Sequence, residues 1–205
     1  MDQIILIGGA PTVGKSYLAE RLAQDLKLPW MSTDIIREWM RELITHREEF
    51  PNLFDFDHRE HADPVEYLTT RTAQEIVDHQ NLESVQTWKG VEALVKKNYV
   101  WDSFIIEGVA ILPQFAADLA KRNPRVKPVF LLDHDADRLR EVIYTRGLWD
   151  DADKYPDTVK DKELAWVMLF NSWIERECKK VGLPTIEVQR GDSYIEEVKR
   201  IIHET

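Results

Sequence analysis

The chain of 205 residues has one cysteine, Cys178, and no apolar run near the roughly 20 residues that a membrane helix requires. A single cysteine excludes an intrachain disulfide and a cysteine-rich metal site, which favours a reducing, intracellular setting. No basic segment precedes the short apolar run at the N-terminus, so no signal peptide is expected. We therefore expect a cytoplasmic protein that does not enter a membrane.

Positive charge is also scarce, because 27 Lys and Arg stand against 37 Asp and Glu, giving a net charge of −10. An acidic surface repels nucleic acid and anionic membranes, so we expect neither as a partner. An anionic substrate would need a locally basic pocket. The length fits a single domain, and the sequence leaves a homodimer open.

Five short apolar runs, each ending in a polar or glycine turn, have the character of strands buried on both faces. They occupy residues 4–7, 28–33, 103–108, 128–133 and 184–188. Segments with helical periodicity lie between them. Strands that alternate with helices predict an α/β fold with a parallel, doubly wound sheet.

One long segment interrupts this alternation. Between the second and third runs lie about seventy residues without a convincing strand, far more than a simple crossover needs. Asp63-Pro64 is a typical helix start within it. We expect residues 34–102 to form a helical cap on a core of residues 1–33 and 103–205. Such caps often hold a second substrate, and Trp39 and Trp88 are candidates for lining its cleft.

The segment GAPTVGKS, residues 9–16, matches the phosphate-binding loop pattern G-x-x-x-x-G-K-[ST] in full. Its glycines allow backbone N–H groups to point at phosphate oxygens, and the following helix directs its positive end at the same place. Lys15 can reach the β- and γ-phosphates, and the Ser16 hydroxyl can bind Mg²⁺. The residues expected at the nucleotide are Gly9, Ala10, Pro11, Thr12, Val13, Gly14, Lys15, Ser16 and Tyr17.

The loop alone does not select a reaction. The D-x-x-G and N-K-x-D motifs of GTPase switches are absent from the sequence, which favours ATP, and the chain is small for a motor ATPase. A small-molecule kinase that uses ATP and Mg²⁺ is the leading hypothesis. A nucleoside or nucleotide kinase and a regulatory nucleotide-binding module without catalysis are the alternatives.

Candidates for binding the phosphate acceptor follow two strands. Asp34 comes at the end of the second run, where ligands bind in open α/β sheets, and it can accept a proton from an attacking hydroxyl. Arg37 lies one helical turn later, placed to grip an anionic group. Glu107 and Gly108 end the third run, and Glu107 is expected to position Mg²⁺ or to touch the substrate. Asp34 and Glu107 could instead serve only as helix caps.

Two further regions carry candidate arginines. Residues 146–158 have the character of a lid, and Arg146 at its edge is the candidate for neutralising the transferred phosphoryl group, ahead of Arg138 and Arg140. After the last strand, Arg190 could stack on the adenine base, or belong to a plain surface turn.

Four segments together, IILIGGAPTVGKS, MSTDIIREWMR, DPVEYL and FIIEGVAILP, resemble the 2-phosphoglycerate kinase-like branch of small P-loop kinases. The wider group is similar to zeta toxins, chloramphenicol phosphotransferase and gluconate kinases. The resemblance covers about three quarters of the chain, and only its first motif is specific alone. It implies a three-layer sandwich around a five-stranded parallel sheet, ATP with Mg²⁺, a base at Asp34 and lid arginines. The acidic lid leaves a neutral or cationic hydroxylated acceptor equally open.

Overall fold

The computed structural model describes residues 2–54, 64–97, 101–147 and 152–204. Its centre is a sheet of five parallel strands in the order β2-β3-β1-β4-β5. The strands are β1 (Ile4–Gly9), β2 (Trp30–Ser32), β3 (Phe104–Glu107), β4 (Val126–Leu132) and β5 (Thr185–Glu187). The parallel five-stranded sheet predicted from the apolar runs is confirmed.

Helices cover both faces of this sheet, as the predicted three-layer fold requires. They are α1 (Lys15–Leu26), α2 (Thr33–Leu43), α3 (Pro51–Phe54), α4 (Pro64–Thr70), α5 (Ala73–Lys96), α6 (Pro113–Arg122), α7 (Ala136–Thr145), α8 (Asp157–Val181) and α9 (Ser193–Glu204). Two single 3₁₀ turns span Arg47–Glu49 and Ala152–Lys154. None of the helices within the described ranges is long and apolar enough to cross a membrane.

The central strands are buried because neighbours cover them on both faces. All six residues of β1 and all four of β3 are buried, which explains why their sequences are continuous apolar runs rather than alternating ones. Gly8 in β1 leaves space for the Phe130 ring of β4, which a Cβ at this position would overlap. The sheet therefore packs closely where β1 and β4 pair, directly before the phosphate-binding loop.

The expected cap segment, residues 34–102, contains only helices and a 3₁₀ turn in its described part. Its longest element, α5, packs against α2, α3 and α8. A helix begins at Pro64 as predicted, but it ends at Thr70 rather than continuing. The reason is local: Thr72 and Glu75 form a reciprocal capping box that starts α5 as a new helix. The domain boundaries themselves remain a prediction.

The strand register brings the carboxyl ends of three strands together. Ile7 of β1 and Ser32 of β2 both pair with Glu107 at the end of β3. The loops that follow these strands therefore start side by side at one edge of the sheet. The phosphate loop meets the two candidate acids, Asp34 and Glu107, at this edge.

Farther along the same carboxyl edge of the sheet, His134 ties the end of β4 to the end of β5. Its backbone N–H donates to Glu187 Oε1 at 2.8 Å, and its Nδ1 lies 2.7 Å from Glu187 Oε2. Its Nε2 lies 3.3 Å from Glu175 Oε2. The hydrogen bond to Glu187, with the charges of both glutamates, raises the pKa of His134 above its ordinary value.

We predict that His134 contributes more to stability at pH 6 than at pH 8.5. A raised folded-state pKa gives stabilisation that is complete below the unfolded pKa of about 6.5 and is lost as pH rises through the folded value. The effect should be at most about 1 kcal/mol, since the pair is half exposed. Urea unfolding of wild type and His134→Asn at both pH values measures it. An equal difference at the two pH values would contradict the assignment.

Candidate functional site

The loop between β1 and α1 has the backbone of a phosphate cradle. Thr12 and Gly14 adopt positive φ angles of 64° and 91°, and Gly9 has a φ of 152°. Backbone of this kind turns successive N–H groups inward to form an anion-binding concavity. A Cβ on Gly9 would lie 2.8 Å from the Leu131 carbonyl oxygen, so glycine is required there for space as well.

The first turn of α1 faces the same concavity. Its N-cap, Gly14, supplies no side-chain acceptor, and the turn contains no acidic residue. The orphan N–H groups and the positive helix end are thus suited to an anionic ligand. Lys15 is buried and donates from Nζ to the Ala10 carbonyl at 2.6 Å. Burial lowers the pKa of the Lys15 ammonium, and the carboxylates of Glu107 and Asp34 oppose this shift.

Glu107, at the end of β3, brings a carboxylate next to the phosphate-binding loop. The Ser16 hydroxyl donates to Glu107 Oε1 at 3.2 Å, so the two oxygen-bearing side chains expected near Mg²⁺ do meet. Burial raises the pKa of the Glu107 carboxyl, while Lys15 and the Ser16 hydrogen bond act in the opposite direction. Hydroxyl and carboxylate oxygens are hard donors of the kind that Mg²⁺ prefers. The residues present therefore fit a Mg²⁺ ion bound together with a polyphosphate.

Gly108 explains how the next element approaches so closely. Its φ is 145°, and a Cβ at this position would overlap the side chain of Thr33, the first residue of α2. Thr33 is buried against the end of β3, so the start of α2 lies directly beside Glu107. The proximity of Glu107 to the start of α2 thus has a steric basis.

Asp34 lies in the first turn of α2 and is not its cap. The N-cap is Ser32, whose Oγ accepts from the Ile35 backbone N–H at 3.2 Å. The alternative that Asp34 serves only as a helix cap is therefore wrong. Its carboxylate is 62% exposed, and Oδ1 lies 3.0 Å from Arg37 Nη1. Asp34 is consequently placed at the cleft with one partner holding its orientation.

Arg37 belongs to a network of charges in which Arg41 and Glu83 are buried. Besides Asp34 it contacts Glu38 at 3.2 Å and Glu83 of α5 at 3.5 Å. Arg41, one turn later, contacts the same two glutamates at 2.8 Å and 2.6 Å. Burial lowers the pKa of Arg37, but its three carboxylate neighbours outweigh this effect and raise it overall. Burial raises the pKa of Glu83, opposed by both arginines.

These elements enclose a cleft with a volume of about 220 Å³. Four loop residues line it, namely Pro11, Thr12, Lys15 and Ser16. The other predicted residues that line it are Asp34, Arg37, Glu107, Gly108 and Arg146. The loop residues Gly9, Ala10, Val13 and Gly14 lie behind this surface as its backbone support.

Of the three candidate arginines, only Arg146 lines the cleft. Arg138 is held elsewhere, with Nη2 at 2.6 Å from Asp133 Oδ1 at the end of β4. Arg140 contacts Asp161 at 3.0 Å on the outer surface. Arg146 is the C-cap of α7, where the expected lid begins. Residues 148–151 of that lid lie outside the described part of the chain.

Two predicted nucleotide contacts lie outside the cleft lining. The Tyr17 hydroxyl donates to Asp192 Oδ1 at 3.0 Å on the far side of α1. Arg190 is 76% exposed and lies 3.9 Å from Glu141. Both occupy the surface between α1, α7 and the start of α9, so the expected contacts of Tyr17 with the nucleotide and of Arg190 with its base remain predictions.

The tryptophan assignment was wrong. Trp39 is 54% exposed and lines an apolar groove with Trp30 and Trp101 beside β2, the edge strand of the sheet. Trp88 is buried and stacks on Phe115 at a ring distance of 5.7 Å. Among the tryptophans that the structure describes, Trp166 of α8 is the one that lines the cleft. Helical periodicity placed these residues on their helices but could not show which face meets the cleft.

The cleft also has a wall that sequence reasoning missed. It comes from α4, α5, α8 and the residue after Gly108, and consists of Tyr67, Ile76, His79, Gln80, Glu83, Val109 and Trp166. Ile76, Gln80 and Glu83 recur at helical spacing, which was a usable signal for one face of α5. That spacing does not distinguish a cleft wall from a solvated face, so only the packing of α5 beside α2 identifies it.

Two curated proteins are similar to this chain. It is 27% identical over 203 residues to a 2-phosphoglycerate kinase from Methanocaldococcus jannaschii, which covers 98% of this chain and 63% of that protein. It is 30% identical over 192 residues to a 2-phosphoglycerate kinase from Methanothermobacter thermautotrophicus, covering 90% and 60% respectively. The chain thus spans about three fifths of the length of these relatives. No family model matches it.

A similar solved structure is a gluconokinase from Sinorhizobium meliloti 1021. Its TM-score is 0.54 at 15% identity, covering 99% of this chain and 93% of that one. Identity this low is evidence for the fold alone. Together, these similarities confirm the resemblance to 2-phosphoglycerate kinases and the P-loop kinase fold.

Proposed function

We propose that this chain is an ATP-dependent kinase that transfers the γ-phosphate of ATP to a hydroxyl group of a small molecule. The observation that carries the proposal is the single cleft that joins the phosphate loop to the walls of the cap. Lys15, Ser16 and Asp34 all line this cleft, which supports phosphoryl transfer between a nucleotide and an acceptor bound in it. The names of the curated relatives, both 2-phosphoglycerate kinases, support the same reaction class.

The phosphate side of the cleft has binding and charge-neutralising roles. The loop N–H groups and Lys15 bind the β- and γ-phosphates, and Arg146 stabilises the charge of the transferred group. Ser16 and Glu107 are the residues that would hold Mg²⁺ with the nucleotide. When bound, the ion supplies positive charge to the phosphate oxygens.

The acceptor side carries the proton chemistry. Asp34 is the base: its carboxylate accepts the hydroxyl proton as the acceptor oxygen bonds to the γ-phosphorus and the bond to ADP breaks. Arg37 holds Asp34 from the neighbouring helical turn at 3.0 Å, which fixes the direction of the carboxylate. In this arrangement Arg37 positions the base, whereas the sequence predicted that it grips the substrate.

The direct test follows the terminal phosphate of labelled ATP in the presence of Mg²⁺. The acceptor panel contains phosphoglycerates, sugars, nucleosides, nucleoside monophosphates and aminoglycosides. We expect at least one labelled product with wild type and none with Lys15→Ala, because the loop then lacks its cation. Lys27→Ala, at the other end of α1, is the matched control. ATP binding without labelled product from any acceptor would favour the regulatory alternative.

Replacing Asp34 should separate chemistry from nucleotide binding. We expect Asp34→Asn to lower kcat at least about 100-fold, since general base catalysis typically contributes that much, and to leave ATP affinity within about twofold. Steady-state kinetics and calorimetric titration with ATP provide the two measurements. Asp118→Asn, on the exposed face of α6, serves as control. Loss of kcat and ATP affinity together would refute the assigned role.

Arg146 should matter to turnover more than the other arginine candidates of its helix. We expect Arg146→Ala to lower kcat by about 10- to 1000-fold, in the range of removing one charged donor from a transferred phosphoryl group. Arg140→Ala should change kcat less than twofold, because its contacts lie on the outer surface. Equal losses in both variants would show that the effect comes from α7 as a whole.

A further inference from the structure

The inference concerns the chemical class of the acceptor, and it rests on the proposed kinase function. The cleft has two halves of different charge. Lys15 and Arg146 line the phosphate side of the cleft. The phosphate groups of bound ATP would neutralise their positive charge there. Among the described residues of the acceptor side, Arg37 is the sole lysine or arginine that lines the cleft. An acceptor with several negative groups would therefore depend on Arg37.

Arg37 has little charge to offer such a ligand. Its guanidinium contacts the carboxylates of Asp34, Glu38 and Glu83 at 3.0, 3.2 and 3.5 Å. Two of these carboxylates, Asp34 and Glu83, line the cleft themselves. Glu83 is buried, so its field is less screened by water than that of a surface acid. A phosphate or carboxylate brought beside this cluster would be repelled.

The remaining acceptor wall is apolar or carries hydrogen-bonding groups, which include the imidazole of His79. Ile76, Tyr67 and Trp166 provide apolar surface, and Gln80 adds an amide. Trp166 is 6% exposed, and its indole N–H has no acceptor within the described part of the chain. Burying a donor without a partner is unfavourable, so an acceptor oxygen supplied by a ligand would be stabilising there.

We propose that the acceptor is a hydroxyl-rich small molecule without phosphate groups and without net negative charge, held against Trp166 and oriented by Asp34. Hydroxyl groups can satisfy Gln80, Trp166 and the carboxylate of Asp34 at once. An amino group on the same molecule would be attracted by the carboxylates of Asp34 and Glu83, which line the cleft. This acceptor differs in charge from the substrate in the names of the curated relatives.

The test measures binding to protein saturated with Mg²⁺ and a non-hydrolysable ATP analogue, so that anions cannot occupy the phosphate loop. The probes are glucosamine, glucose, gluconate, 6-phosphogluconate and 2-phosphoglycerate, with affinities from ligand-detected NMR or calorimetry. We expect glucosamine and glucose to bind at least about 10-fold more tightly than either phosphate compound. Tighter binding of a phosphate compound, or no binding by any probe, would overturn the proposal.

Two variant pairs sharpen the result. Glu83→Gln removes the buried charge and should shift the preference at least about threefold towards the anionic probes, while Glu92→Gln on the same helix should not. Trp166→Phe keeps an aromatic side chain but removes the indole N–H, so it should weaken sugar binding about 3- to 10-fold, unlike Trp173→Phe on the same helix. Thermal unfolding of each variant shows whether it is folded. Unchanged binding in both Glu83→Gln and Trp166→Phe would contradict the proposal.

Failure of this inference can be distinguished from failure of the kinase proposal. The ranking of the probes by affinity is measured without turnover, so its outcome does not depend on phosphoryl transfer. Transfer to 2-phosphoglycerate as the best acceptor would keep the kinase and overturn the acceptor class. The expected binding order without transfer to any acceptor would keep the acceptor class and overturn the kinase.

Discussion

The parallel pairing of β1 with β3 determines where every reactive group of this protein lies. Because Ile7 is in register with Glu107, the phosphate loop and the acidic strand end emerge side by side. The 3.2 Å hydrogen bond from Ser16 to Glu107 follows from that register. A shift of one residue would turn the Glu107 side chain to the opposite face of the sheet, away from the loop.

The position of the residues that follow β2 also depends on the end of β3. Gly108 has no side chain, and this lets Thr33 pack against the end of β3 and brings Asp34 to the cleft. Glu107, Lys15 and Asp34 then influence one another's charge, as the pKa shifts of Lys15 and Glu107 show. The site is therefore one electrostatic unit in which the acids offset the buried cation, and an anionic nucleotide would change this balance.

Sequence reasoning succeeded where function follows local pattern. The loop motif and the strand ends predicted Lys15, Ser16, Asp34 and Glu107 at one edge of the sheet, because parallel strands place their carboxyl ends together. It failed where the answer depends on a distant helix. Arg37 looked free to bind an anion, since nothing in the sequence near it shows that Glu83 of α5 would approach within 3.5 Å.

The same limit applies to side-chain direction. The sequence offered three arginines in or beside α7 as candidates for neutralising the transferred phosphoryl group. The structure distinguishes them, because Asp133 binds Arg138 and Asp161 binds Arg140. Periodicity assigned the tryptophans to helices but gave no information about which helix faces the cleft, so Trp39 and Trp88 were chosen over Trp166. These are properties of packing between elements, which local propensity does not encode.

The division of the cleft also limits what a relative's name can say about the acceptor. Phosphate binding uses backbone geometry and a short motif, which any P-loop kinase shares. The proposed acceptor wall comes from α2, α4, α5 and α8, which lie outside the loop itself. A buried ion pair such as Arg41 with Glu83 is costly compared with apolar packing, so its place behind that wall calls for a reason beyond stability. Orientation of Asp34 and the proposed selection by charge would supply one, and such selection would belong to this wall rather than to the shared fold.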